Sequence, residues 1–275
     1  MNKPKLSILI PVYNGMPYIK EAVRSVLEQD FTDYELIFSD NGSNDGTWEY
    51  ITSLSDKRIR YYKNETNLGM VGNWNKALEY AQGEYIKVLP ADDYILPGSL
   101  RKQATILDKN PEVVLVSGAK RVIDANGKHL FTKRFLKSDT VMDGKTAMDK
   151  VIRSGSNAIG EGGCVMFRKN LIPLTGGFED DIFYAEDIQL WFKLLLHGKL
   201  YVMADEVAAF RISGISLSVQ RSAEQLKGNL AFIKKYAEKK EYGIKRISAM
   251  IGKIKSVIFF FVKQVIYFYL RITGR

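Results

Sequence analysis

Leu6-Ser7-Ile8-Leu9-Ile10-Pro11-Val12 is an almost wholly apolar run that ends in Tyr13-Asn14. A strand with one wet face alternates apolar and polar residues, whereas a short continuous run is what a strand buried on both faces requires. The next segment, Pro17 to Gln29, places Ile19, Ala22, Val23, Val26 and Leu27 at helical spacing, with Pro17 near the first turn, where its missing N–H costs nothing. The alternation continues with strand at Tyr34 to Ser39, helix at Gly46 to Leu54, strand at Ile59 to Tyr62, helix at Val71 to Ala81 stopped by Gly83, and strand at Tyr85 to Leu89. Strands joined by short helices imply crossover connections and an α/β fold with a mainly parallel central sheet and helices on both faces, in which ligands bind beyond the carboxyl ends of the strands. Polar clusters stand at those ends: Tyr13-Asn14, Asp40-Asn41-Gly42-Ser43, Asn67-Leu68-Gly69 and Asp92-Asp93. They point to one shared crevice.

The second half is less regular. Val113 to Ile123 reads as strand, Asp124-Ala125-Asn126-Gly127 as a hairpin turn, Gly162 to Arg168 as strand, and Glu186 to His197 as a helix capped by Gly198. No repeat, low-complexity segment or Pro/Gly/Ser-rich linker divides the chain, so residues 1–233 read as one domain and residues 234–275 as a tail. Charge marks the division. The whole net charge of +9 lies from Lys234 to Arg275, where eleven Lys/Arg face two Glu, and the first 233 residues are balanced. A single cysteine, Cys164, rules out an internal disulfide, and His129 and His197 do not form a zinc spacing, which suits a reducing compartment. The apolar run at the start is too brief for a signal peptide, so a cytoplasmic location is expected.

In the tail, Met250, Ile251, Ile254, Val257, Ile258, Phe261, Val262, Val265, Phe268 and Tyr269 recur at helical spacing, with Arg246, Lys253, Ser256, Lys263 and Gln264 opposite. This is a basic amphipathic helix. Lys263 interrupts its apolar stretch, which falls short of the roughly 20 residues a spanning helix needs, so the helix is expected to lie on an anionic membrane surface at the inner face of the cell membrane. Packing against the body or a second copy of the chain is the alternative. A nucleic-acid partner is disfavoured, because the charge sits on an apolar helix and is not interleaved with exposed aromatics.

Asp92-Asp93 follows an apolar strand and precedes Pro97, which is expected to open a helix. Adjacent carboxylates at a strand end offer hard oxygen ligands to Mg2+ or Mn2+, the ions that accompany diphosphates. On the dipeptide alone, a helix cap beside a solvated acid is the better reading. Context reverses it. The ordered set Ser7 to Asn14, Ser39 to Thr47, Asn67-Leu68-Gly69, Gly83-Glu84-Tyr85-Ile86 and Leu89-Pro90-Ala91-Asp92-Asp93 closely resembles the family 2 glycosyltransferases of the GT-A fold. The resemblance is dense over about the first hundred residues and returns at Gly177-Phe178 and Glu186-Asp187.

The resemblance implies an inverting enzyme that uses a nucleotide-sugar donor. Pro11, Val12, Tyr13 and Asn14 would lie against base and ribose, Asp40 would accept the N3–H of a pyrimidine, and Asn67, Gly69 and Ala91 would complete the nucleotide side. A UDP-sugar, or a dTDP-sugar, is therefore expected. Asp45 matches a family aspartate, with turn fixing as the equal alternative. The family's Asp-x-Asp falls on Pro90, Ala91 and Asp92, so its first acid is missing; Asp92 would bind nucleotide and metal, with Asp93 as the neighbouring metal carboxylate. Phe210-Arg211-Ile212-Ser213 has serine where many members carry a metal-binding histidine. Asp187 matches the catalytic base, Glu186 would bind the acceptor or hold the loop, and residues 125–160 are expected to contact the donor sugar. Trp74 and Trp191 read as packing residues ahead of sugar platforms. The acceptor would be a glycan or lipid-linked hydroxyl, as in polysaccharide or cell-envelope synthesis. A non-catalytic nucleotide-sugar-binding or assembly protein of the same fold is the competing reading. A sugar nucleotidyltransferase is disfavoured, because Pro11-Val12-Tyr13-Asn14-Gly15 is not a Gly-rich, basic triphosphate loop.

Overall fold

The computed structural model describes residues 3–213 and 220–272; Arg275 of the basic tail lies outside them. Helices and strands alternate from the start: β1 (Leu6–Val12), α1 (Ile19–Leu27), β2 (Tyr34–Asp40), α2 (Thr47–Thr52), β3 (Ile59–Lys63), α3 (Gly69–Tyr80), β4 (Tyr85–Val88), β5 (Tyr94–Ile95) and α4 (Ser99–Lys109). The second half adds β6 (Val113–Ile123), β7 (His129–Lys133), β8 (Thr140–Asp143), α5 (Gly144–Ser154), β9 (Val165–Arg168), α6 (Ile172–Thr175), α7 (Glu186–Leu195) and β10 (Lys199–Arg211). Two helices close the chain, α8 (Ser222–Ala237) and α9 (Arg246–Ile272).

The strands form one sheet in the order β3-β2-β1-β4-β9-β6-β10-β5, with β7 on β6 and β8 on β10. β1, β2, β3 and β4 pair in parallel, as do β6 and β10, while β9 runs antiparallel between β4 and β6. Every residue of β1 and β2 is buried, as the continuous apolar run demands. The expected elements appear with ends shifted by a residue or two, which is where hydrogen bonds rather than periodicity set the boundary. Two differences are larger. Pro97 precedes a Gly98 in the left-handed region (φ 73°), so α4 starts at Ser99. Gly162 to Cys164 forms a single 3-10 turn ahead of β9.

Beside a small second cluster that holds Val122 and Ile212, the main hydrophobic core runs from Leu6 to Ala249. Trp191 lies at its centre, fully buried, donating Nε1–H to the Gly160 carbonyl at 3.0 Å and packing on Phe167 and Phe178. It is a packing residue. Phe192, Phe232, Tyr236 and Tyr242 stack around one another at 4.5–5.0 Å along the closest pairs, cementing α8 and the turn after it onto α7. Residue 233 therefore falls inside a helix whose next turn is still core.

α9 lies across α5 and α8. The crossing is close: a Cβ on Gly252 would stand 2.1 Å from the Ile152 carbonyl oxygen, and one on Gly155 would stand 2.6 Å from that of Gly252. Ser248 donates to Asp149, Ser256 to the Gly155 carbonyl, Lys263 to Gln225 and Gln264 to Ser222. The helix thus turns small and polar residues toward the body, and its apolar face outward, with Ile254 56%, Phe261 63%, Val265 69% and Phe268 67% exposed. Of the two expectations for the tail, packing on the body is the one these contacts show, and it uses the side opposite the apolar stripe.

Candidate active site

The first-strand loop is tied to the second-strand loop before any ligand arrives. Asn14, held in the left-handed region (φ 54°), accepts the Asn44 N–H through Oδ1 and donates its own N–H to Ser43. Asp45 accepts from the N–H groups of Met16 and Thr47, so the turn-fixing alternative is the one its geometry satisfies. Asn41 donates to Asn67 and to the Gly69 carbonyl and accepts from Asn64 and Leu68. Asn73 and Ser39 extend this amide network inward. Gly69 has φ 73° and open space around it, so glycine serves backbone conformation there. Asn67 and Gly69 accordingly belong to the loop that Asn41 ties down, Tyr13 is 53% exposed, and Pro11 and Val12 end β1 opposite Ser39 and Asp40; none of these residues lines the cleft described next. Asp40 is fully buried: Oδ2 accepts from the Gly42 and Ser43 N–H groups, while Oδ1 has no partner.

At the end of β4, Pro90 and Asp92 line a cleft of about 200 Å3 that opens to solvent. Ala91 sits behind them, within 3.3 Å of where a Cβ on Gly15 would stand. Asp93, expected beside Asp92 as a metal ligand, points inward instead: it is 3% exposed, does not line the cleft, and its Oδ1 accepts the Arg211 N–H at 2.9 Å. Burial and then the neighbouring Asp92 push the Asp93 carboxyl well above the usual range, and burial raises that of Asp92 against the pull of Arg211. Arg211 is the joint of this corner. Its guanidinium reaches the carbonyls of Asp92, Asp124 and Ala125, pairs with Glu21 and lies 4.5 Å from the Tyr18 ring. Ser213 is buried just beyond. Among the described residues no three His, Cys, Asp or Glu side chains converge. At the end of β4 the cleft is thus offered a single hard carboxylate, Asp92, which fits an Mg2+ or Mn2+ ion that takes its other ligands from water and a diphosphate.

Across the cleft, α7 opens with Glu186-Asp187. The loop before it is anchored by Asp181 and Gln189, both bonded to Lys235 of α8, and by Gly228, where a Cβ would stand 2.0 Å from the Phe183 carbonyl oxygen. Tyr184 is left-handed (φ 64°) and donates its N–H to Glu186 Oε1, so Glu186 holds the loop while lining the cleft. Asp187 also lines the cleft, and its buried Oδ1 has no partner. Burial, then Glu161 and Glu186, push its carboxyl well above the usual range, against a hydrogen bond from the Gly162 N–H. Trp74 lines the cleft edge-on to Phe178, at 5.0 Å between centroids.

Sequence reasoning missed a third group on the floor of the cleft. Glu161, Lys133 and Lys263 line it, and Lys120 pairs with Glu161. Burial opposes ionisation of Glu161, but Lys120 and Lys133 hold its carboxyl below the usual range. Burial, then repulsion from Lys120, lowers Lys133 to about 7 and Lys263 to about 8. These residues come from β6, β7, the segment before β9, and α9. No sequence spacing links them; the sequence traces were the lysine that interrupts the apolar stripe of the tail and the range 125–160, which contains Lys133.

The family model described as glycosyl transferase family 2 matches residues 7–173, and the chain belongs to that family. An uncharacterized protein of Mycobacterium tuberculosis is 31% identical over 216 residues, 76% of this chain and 67% of that one. The Campylobacter jejuni protein named GalNAc(5)-diNAcBac-PP-undecaprenol beta-1,3-glucosyltransferase is 30% identical over 214 residues, 76% of this chain and 64% of its own. Two further relatives are spanned over 61% and 52% of their length. In fold, the chain is similar to S. aureus TarS 1-349 in complex with UDP-GlcNAc, with a TM-score of 0.64, 22% identity, and 83% of this chain and 66% of that one covered. It is also similar to the mannosyltransferase PcManGT from Pyrobaculum calidifontis in complex with GDP-Man and Mn2+, with a TM-score of 0.67, 20% identity, and 93% and 70% covered.

Proposed function

We propose that this chain is an inverting glycosyltransferase that moves a sugar from a pyrimidine-nucleotide donor, UDP-linked ahead of dTDP-linked, to a hydroxyl of a glycan or lipid-linked acceptor. One observation carries the reading. Among the described residues, the buried side-chain oxygens left without a partner are Asp40 Oδ1 and Asp187 Oδ1. An unmet buried carboxylate oxygen costs about 1–3 kcal/mol or more, so its persistence calls for a ligand that meets it. Asp40 Oδ1 accepts the base N3–H, with Pro11, Val12, Tyr13, Asn14, Asn67, Gly69 and Ala91 against the nucleotide. Asp187 Oδ1 accepts the proton of the acceptor hydroxyl as its oxygen forms the bond to the anomeric carbon. The bond from that carbon to the diphosphate breaks on the opposite face, the electron pair leaves with the diphosphate, and the centre inverts. Asp92 holds the divalent ion, with Asp93 positioning Arg211 and the turn beneath it; the ion, when bound, supplies Lewis-acid stabilisation to the leaving diphosphate. Glu186 fixes the loop that aims Asp187.

The outward apolar face of α9, flanked by exposed Lys253 and Lys255, supports peripheral placement on an anionic membrane surface at its cytoplasmic side. Among the described residues no helix is long and apolar enough to cross a membrane.

Calorimetric titration with UDP, dTDP and GDP, with and without Mn2+, tests the donor site. Metal-dependent binding of UDP that is lost in Asp92→Ala is the expected result, and failure of the intact chain to bind any of the three overturns it. Nucleotide binding with no metal-dependent donor hydrolysis and no transfer would leave the binding-protein alternative.

A further inference from the structure

The catalytic cleft does not end at Asp187. It continues into a groove of about 350 Å3 between α8 and α9, and the two spaces share Lys133, Ser156, Gln225, Asn229 and Lys263. Beyond that junction the groove walls are apolar, formed by Leu226, Phe259, Phe260, Val262 and Ile266, with Phe131 at one side. Phe259 and Val262 are 41% and 48% exposed, so the groove is continuous with the outward apolar face of α9.

The charges stand only at the junction, and they are short of partners. Lys133 donates to the Asn157 carbonyl and Lys263 to Gln225 Oε1, both neutral acceptors, and among the described residues no carboxylate lies within ion-pair distance of either. The nearby acid, Glu161, is engaged by Lys120. Each ammonium has donors to spare. Burial lowers both lysines toward neutrality, which an anion between them would reverse.

We propose that this groove seats a lipid-phosphate acceptor: Lys133 and Lys263 hold the phosphate or diphosphate that joins an apolar chain to the acceptor, and the chain runs out between α8 and α9 toward the bilayer. A free sugar would leave the apolar walls unused, and a free phosphate would not need them. With the phosphate fixed at the junction, the hydroxyl-bearing head points into the cleft where Asp187 Oδ1 is unmet. The inference rests on the reading of that cleft as the transfer site.

The test is titration of the full chain with farnesyl diphosphate, inorganic diphosphate and farnesol, with UDP and Mn2+ saturating so that the donor-side diphosphate position is filled. Farnesyl diphosphate should bind at least tenfold more tightly than either fragment. Lys133→Gln and Lys263→Gln should each weaken it about ten- to a hundredfold, the loss expected for a hydrogen bond to a charged group. Leu226→Trp, which fills the groove, should weaken farnesyl diphosphate and not inorganic diphosphate, and Lys234→Gln, an exposed lysine of the same helix, should change neither. UDP titration of the same samples reports folding. If the intact chain binds UDP but both lysine variants bind farnesyl diphosphate as it does, or inorganic diphosphate binds equally well, the groove assignment falls while the donor site stands; if UDP does not bind the intact chain, the transferase reading itself falls.

Discussion

The loops at the strand ends and the cleft beyond them are built on different principles. At the strand ends proposed to hold the nucleotide, Asn14, Asn41, Asn64, Asn67 and Asn73 tie three loops and α3 together with neutral hydrogen bonds, and among the described residues only Asp40 Oδ1 is left over there. On the side proposed for the acceptor, Asp187, Glu161, Lys120, Lys133 and Lys263 are charges gathered around one cleft, with Lys120–Glu161 as the only ion pair among them in the described residues. A satisfied amide network is stiff and ready before the ligand comes. Buried charges without counter-charges are stabilised only when substrate supplies the missing partner.

The comparison can be broken at Asp187 first. Asp187→Asn should lower transfer about a thousandfold, within the range of general-base contributions, while UDP affinity stays unchanged. The same variant should melt higher than the parent at neutral pH, since it removes a buried, unpaired charge. An unchanged transfer rate would remove the acceptor side from catalysis. Asp40→Asn places an amide N–H or an amide oxygen where a carboxylate oxygen stood; UDP affinity should fall about tenfold or more in calorimetry, with little effect on acceptor affinity.

Acidity sharpens the contrast. The folded Asp187 carboxyl titrates above its unfolded value, so the folded state binds the proton more tightly, and this group's contribution to stability falls as pH rises from the unfolded pKa through the folded one. The transfer rate should move the opposite way, rising through that same folded pKa as the base ionises. Rate and melting temperature recorded across pH 4–9, taken as about five pH units around these groups, should therefore cross for the parent, and the Asp187-linked slope in melting should vanish in Asp187→Asn.

A smaller effect concerns the outer wall. Ile254→Ser with Phe261→Ser should reduce cosedimentation with anionic vesicles about tenfold, given that each apolar side chain contributes about 1.5–3 kcal/mol when fully buried, and should leave UDP binding as it is. Unchanged sedimentation, with dimerisation lost instead, would assign that face to a second copy of the chain. Smallest of all, Gly252→Ala should lower the melting temperature by several degrees, because its Cβ meets the Ile152 carbonyl.

The unequal legibility of the two sides has the same root. β1 to β4 and the polar residues at their ends are local: each apolar run, helix period and turn is written within a dozen residues, and the nucleotide side is assembled from strand ends that any parallel sheet brings together. Asp187 was legible through its resemblance to a family motif, and Glu186 with it, though its bond to the Tyr184 N–H was not. β9 was expected as a strand, but its antiparallel place between β4 and β6 was not legible, because nothing near Val165–Arg168 encodes the partner.

The sequence by itself determined the alternation of strands and helices, the crevice at the strand ends, the amphipathic character of the tail and the missing acid at Pro90, since each is a matter of periodicity or of residues adjacent in the chain. Only the tertiary structure decided that Asp93 turns away from the cleft to hold Arg211, that α9 faces outward with its apolar side, and that Lys133 and Lys263 meet at one junction. Those outcomes depend on contacts between residues about a hundred positions apart, such as Asp93 with Arg211 and Gly155 with Ser256, and such contacts are chosen by the packing of the whole chain.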